Sequence, residues 1–155
     1  MPLISVSLGT FMLLVDTTVV QVALPGIATD LDASPVSLQW IVDGYVVALA
    51  ALLLSAGAVA DRLGHRRTYA GGLALFAAAS ALCGAAPDDA TLVVFRILQG
   101  VGAAALFATT TALLNSAYQG TDRGKAFGLW AAVASAAAAV GPIVGGVLVQ
   151  GISRR

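Results

Sequence analysis

The sequence is poor in the residues that soluble chemistry depends on. Only 10% of its 155 residues are charged, Lys and Arg match Asp and Glu at eight each, and the net charge is zero. No dense basic patch with interleaved aromatics occurs, so nucleic acid is not expected as a partner. There is one histidine, His65, and one cysteine, Cys83. A single thiol forms no internal disulfide, and in its apolar stretch Cys83 reads as small packing volume. No Ser, His and Asp arrangement, metal-ligand cluster or phosphate-binding loop is visible, so neither an enzyme nor a resident cofactor is expected. The amino terminus lacks the basic start of a secretory signal. Its first apolar run is also too long for one, so it reads as a retained span.

What is present in excess is apolar surface. At 59% hydrophobic, a chain of this length cannot bury its apolar side chains in a soluble core. Lipid must cover the remainder. Five segments are nearly free of charge and reach the roughly 20 residues that cross about 30 Å of hydrocarbon. The spans expected are Leu3 to Leu24, Leu38 to Ala60, Thr68 to Ala86, Leu92 to Ala117 and Ala126 to Ile152. The fold class is therefore all-α and integral to the membrane, and the lipid bilayer is the first partner.

The turn around Asp30 and Asp32 and the turn of Pro87, Asp88 and Asp89 carry no Lys or Arg. The other two, Asp61 to Arg67 and Gln119 to Lys125, carry nearly all the central basic charge. This asymmetry places Arg62, Arg66, Arg67, Arg123 and Lys125 in the cytoplasm, and the amino terminus with them. With five spans the terminal Ser153, Arg154 and Arg155 fall outside, where two arginines fit the rule poorly. That misfit suggests a sequel in a longer protein. Small residues at spacings of four, such as Gly100, Ala104 and Ala108, or Gly141 and Gly145, suit close helix packing in lipid. Such spacings are frequent in any alanine-rich apolar helix, so they prove little alone.

Three charges fall inside the spans: Asp16, Asp43 and Arg96. Each costs roughly 2.5–3.5 kcal/mol in hydrocarbon unless it finds a partner or a wet cavity. Counting from the span ends puts all three in the outer half of the membrane. An Arg neighbour favours a charged carboxylate and desolvation favours a neutral one, so such a cluster is able to exchange a proton as its geometry changes. The bland reading is that Asp43 and Arg96 merely reach for the outer surface.

Four local patterns then converge on one family. Gly57 to Arg67, containing Asp61, Arg62, Gly64, His65, Arg66 and Arg67, resembles the loop signature between spans two and three of the major facilitator superfamily. Arg96, Gln99, Gly100 and Gly102 resemble its fourth-span motif. Gly141, Pro142, Gly145 and Gly146 are similar to the fifth-span motif of its antiporters. Asp16 to Pro25, with Gln21 inside it, resembles the first-span motif of its drug:proton antiporters with fourteen spans. The resemblance implies a proton-coupled efflux antiporter that works by alternating access on small hydrophobic or cationic drug-like substrates in a bacterial inner membrane. The proton is its coupling ion, and no other cofactor is implied. It also implies further carboxy-terminal helices as partners, a substrate path near Asp16, Asp43, Gln21, Arg96 and Gln99, and a loop that latches the two halves.

On physical grounds Gly57 is expected to permit close helix contact, Asp61 to accept hydrogen bonds at a helix start, and Gly64 to allow a tight reversal. Pro142 removes a backbone hydrogen bond and its flanking glycines weaken the helix. Two residues depart from the family pattern: Gln21 stands where Asn is usual, and His65 where a basic residue is usual. An uptake carrier of the same family and a non-transporting membrane fragment are the rival readings.

Overall fold

The computed structural model of the chain describes residues 2–152, with side-chain surroundings given for residues 3–143 and for Gly146. Ser153, Arg154 and Arg155 lie outside the described residues, and Gly145 is described as helical backbone alone. Five helices follow one another: α1 Pro2–Asp30, α2 Pro35–Leu63, α3 His65–Gly84, α4 Asp89–Ala117 and α5 Gly120–Ile152. By length and composition α1, α2, α4 and α5 are able to cross a membrane. At 20 residues α3 is shorter, about 30 Å long, and it opens on His65, Arg66 and Arg67.

Each helix begins ahead of its expected span because the caps lie in the turns, whereas α3 ends at Gly84, two residues short of the expected Ala86. Ser34 accepts a hydrogen bond from Ser37 N at 3.1 Å and Pro35 occupies the first position of α2, where its missing N–H is no loss. Asp88 accepts from Thr91 N at 2.7 Å and so caps α4. That backbone hydrogen bond holds the Asp88 carboxyl below the usual carboxylate range. Its contribution is therefore present above the unfolded pKa and is lost as the pH falls through the lowered one. Asp122 lies in the first turn of α5 and meets Lys125 at 3.3 Å on the surface. Pro25 and Pro142 sit inside α1 and α5, and each helix runs on through its proline.

Two compact units make up the chain: the stretch to Ile27 together with the chain from Leu113, and Ala28–Ala112. In the first, the Trp130 indole donates to the Thr10 hydroxyl at 2.9 Å, and a Cβ on Gly141 would strike Thr18. Both numbers rise together along the two helices, so α1 and α5 run parallel.

In the second unit, Ile41 meets Arg96, Gly44 faces Ile97, and Gly100 faces Tyr45 and Ala48. These pairs also rise together, so α2 and α4 run parallel. Gly72 faces Gly102 and Ala105, and Gly102 faces Phe76, so α3 runs antiparallel to α4. This alternation is what a chain threading back and forth across a bilayer requires.

Candidate functional site

Arg96 organises the middle of the second unit. It is 2% exposed, the largest side chain so fully buried among the described residues, on a helix whose other charged residue, Asp89, stands at its first position. Its Nε donates to the Ile41 carbonyl at 3.0 Å and its Nη1 to Gln99 Oε1 at 2.7 Å. The guanidinium carbon also lies 4.5 Å from the Tyr45 ring centroid. Gln99 is itself fully buried, and the Cys83 thiol at the end of α3 approaches the same Oε1 at 3.8 Å.

Local sequence explains how a guanidinium reaches another helix's backbone. Gln99 follows Arg96 by three positions and so shares its face of α4. The Ile41 carbonyl retains a second lone pair after its helical bond, and Arg96 takes it. The reach is short because glycines bring the two backbones together. A Cβ on Gly100 would stand 2.5 Å from the Tyr45 carbonyl oxygen, and one on Gly44 would stand 3.2 Å from the Ile97 side chain. Gly100 thus has the close-packing role its motif suggests.

Asp43 lies two positions beyond Ile41 and off the buried stripe of Ile41, Gly44, Tyr45 and Ala48. It is half-buried and joins none of the Arg96 network. Asp16 is half-buried at the midpoint of α1, deeper along its helix than its distance from Leu24 suggests, because α1 continues to Asp30. It belongs to the first unit. Gln21 is exposed one turn further on. Thr17 and Thr18 turn their hydroxyls back onto the carbonyls of residues 13, 14 and 15. Gly141 is buried against Thr18, Pro142 is exposed, and a Cβ on Gly146 would meet nothing within 4 Å.

The α2–α3 turn corrects two expectations. Gly64 does make the reversal: its φ is +94°, its N–H bonds Ala60 O at 2.9 Å, and its own carbonyl receives Arg67 N and Thr68 N at 3.1 Å. Asp61, however, stands in the last turn of α2 and not at a helix start, because α2 runs to Leu63 and α3 starts only at His65. Its carboxylate is 75% exposed and 3.5 Å from His65 Nε2. Gly57 makes no close helix contact, since a Cβ there would meet nothing within 4 Å. Instead it lines an open groove with Leu54, Ala58 and Asp61 of α2 and Phe107 and Thr111 of α4. Arg62, Arg66 and Arg67 are all exposed.

Sequence reading passed over Tyr45, the Ile41 carbonyl and Gly72. The available signal was Arg96 itself, since a buried guanidinium requires acceptors and ring faces beyond the one glutamine that helical spacing supplies.

A model of the Major Facilitator Superfamily matches residues 6–154. Over 149 residues the chain is 45% identical to the "Methylenomycin A resistance protein" of Bacillus subtilis, which covers 96% of this chain and 32% of that protein. It is 43% identical to the "Tetracenomycin C resistance and export protein" of Streptomyces glaucescens over 96% of this chain and 28% of that one. Identity to the "Multidrug resistance protein Stp" of Mycobacterium tuberculosis is 40%, with the same two shares covered. The chain thus spans about 30% of the length of these relatives.

Proposed function

The chain belongs to the major facilitator superfamily, and from that premise we propose that the protein carrying it is a proton-coupled exporter of small hydrophobic or cationic drug-like molecules. The observation that carries the reading is Arg96, a fully buried guanidinium clasped by Gln99, Tyr45 and the Ile41 carbonyl inside an apolar helix. A charge so expensive in hydrocarbon marks an ion or substrate pathway. The relatives' own names, which speak of resistance to or export of antibiotics, favour drugs as cargo.

In this reading Asp16 binds and releases the proton and Arg96 senses its charge, while Asp43 serves in its place if Asp16 points elsewhere. Gln21 and Gln99 line the substrate path. α3 crosses the membrane with the other four helices. The site is a bacterial inner membrane, with the amino terminus and the Arg62–Arg67 turn cytoplasmic. Substrate would bind between this bundle and the remaining helices of the full-length transporter.

The test is a double-mutant cycle of Asp16→Asn and Arg96→Gln in the full-length transporter, read as protein level and as pH-dependent drug efflux from vesicles. Either single substitution is expected to abolish most proton-driven efflux, and the double substitution to add little further, as residues that serve one coupling step do. Proton-driven efflux that survives Asp16→Asn unchanged would remove Asp16 from the mechanism.

A further inference from the structure

We propose that Tyr45 is a positioning residue for Arg96: its ring face fixes the guanidinium so that Nη1 stays on Gln99 Oε1 and the cation stays at one depth. This rests on the transport reading above for its functional consequence, but its geometry stands without it.

Three fixed points define a guanidinium's plane and position. Nε is anchored on the Ile41 carbonyl at 3.0 Å and Nη1 on Gln99 Oε1 at 2.7 Å. Both acceptors lie at the edge of the planar group. The Tyr45 ring, with its centroid 4.5 Å from the guanidinium carbon, adds a restraint from the ring side. Arg stacks on aromatic faces through its delocalised plane as well as its charge, which a lysine would not do as well. Tyr45 is 3% exposed and sits on the same buried stripe as Ile41, so one helix face supplies both the carbonyl and the ring. Its backbone is also the one that Gly100 allows α4 to approach. The same close contact of α2 and α4 therefore sets two of the three constraints, the carbonyl and the ring, while Gln99 shares α4 with Arg96. If the pair separates during transport, the ring and the carbonyl leave Arg96 together, and the bond to Gln99 stays behind.

The chain carries a built-in reporter of this arrangement. Cys83 approaches the oxygen of Gln99 that Arg96 holds, so releasing Arg96 alters the surroundings of the thiol.

The experiment compares Tyr45→Phe, Tyr45→Leu and a series of fluorinated phenylalanines at position 45 in the full-length transporter. Fluorination weakens the ring's electrostatic face with little change in size. One readout is the maleimide labelling rate of Cys83, quantified on its own peptide by mass spectrometry, and the other is the pH of half-maximal efflux.

Tyr45→Phe keeps the ring face and is the reference against which the series is read. Tyr45→Leu is expected to speed labelling by roughly two- to thirtyfold and to move the pH midpoint by roughly 0.4–1.5 units, the range of a desolvated cation–π contact. The fluorinated series should fall between them in order of fluorine number. A flat fluorination series with an unchanged Tyr45→Leu labelling rate would overturn the proposal. If the wild-type protein drives no proton-coupled efflux, the functional reading fails, and the labelling series alone then decides whether Tyr45 positions Arg96.

Discussion

The two ends of the α2/α4 pair are built on opposite plans. Toward the N-terminal ends of both helices, Arg96 and Gln99 are closed off from solvent, and each has a named partner on another residue. Toward the α2–α3 turn, Asp61 is 75% exposed beside an open groove, with its carboxylate 3.5 Å from His65 Nε2. The first arrangement has to be complete within the helices described, because a buried charge is costly unless it is paired or hydrogen-bonded. The second carries no such obligation. Polar residues at the first end are therefore bound up with stability, whereas those at the second are free to answer to function alone.

The comparison breaks most visibly at Gly100. Its place is fixed by backbone, since a Cβ there would sit 2.5 Å from the Tyr45 carbonyl oxygen and 2.9 Å from the Ala48 Cβ. Gly100→Leu is expected to force α2 from α4 and to loosen Arg96 as well, at about 3 kcal/mol. Urea or thermal unfolding in detergent checks this, and wild-type stability would mean that the close approach is dispensable. Arg96→Met comes next. It keeps the apolar stem and removes the guanidinium, leaving Gln99 Oε1 buried without its shortest donor. The expected loss is on the order of 2 kcal/mol, together with loss of efflux.

A smaller effect is expected in the other compact unit. Trp130→Phe keeps the ring that meets Phe127 edge-on but deletes the donor to Thr10, whose side chain is 4% exposed. Interhelical hydrogen bonds in lipid average well below those predicted for hydrocarbon, so roughly 0.5–1 kcal/mol is expected. A loss as large as that of Arg96→Met would show that the buried-charge argument does not distinguish Arg96 from an ordinary polar contact.

The sequence made much of this legible, for reasons that differ between the two regions. Five helices follow from five runs nearly free of charge. The Gly64 reversal and the Gly100 contact follow from what glycine alone allows. Helix ends were misjudged because apolar runs mark where lipid begins, whereas Ser34, Asp88 and Pro35 mark where hydrogen bonding begins. Pro25 concealed the final turn of α1, since a proline commonly ends a helix in water. Tyr45 and Ile41 stayed hidden as partners of Arg96 because pairing between α2 and α4 depends on which faces meet, and α2 is apolar nearly all round. Asp61 was assigned to the wrong helix end for a related reason: the motif locates a turn but not which of its residues the preceding helix retains.

The smallest expected effect on stability, and the sharpest test of the contrast, is at Asp61. A carboxylate in the last turn of a helix faces the negative end of the dipole, a placement that costs about 0.3–1 kcal/mol when exposed. Arg62 beside it has the favourable sign there, and the contact to His65 is exposed and held only at 3.5 Å. Local energetics give this chain no reason to keep an acid at position 61. Asp61→Asn is therefore expected to leave unfolding unchanged or raise it by at most about 0.5 kcal/mol, since it removes the unfavourable charge and preserves size. If the turn acts in transport, the same substitution should abolish most efflux from the full-length protein while its membrane level stays at that of wild type. Arg96→Met loses stability and efflux together, so the two substitutions separate the two ends of the helix pair in one experiment. A destabilised Asp61→Asn would mean that the exposed end also holds the fold. Full efflux with full stability would reduce the turn to a basic anchor that sets orientation, a task to which Arg62, Arg66 and Arg67 would then be sufficient.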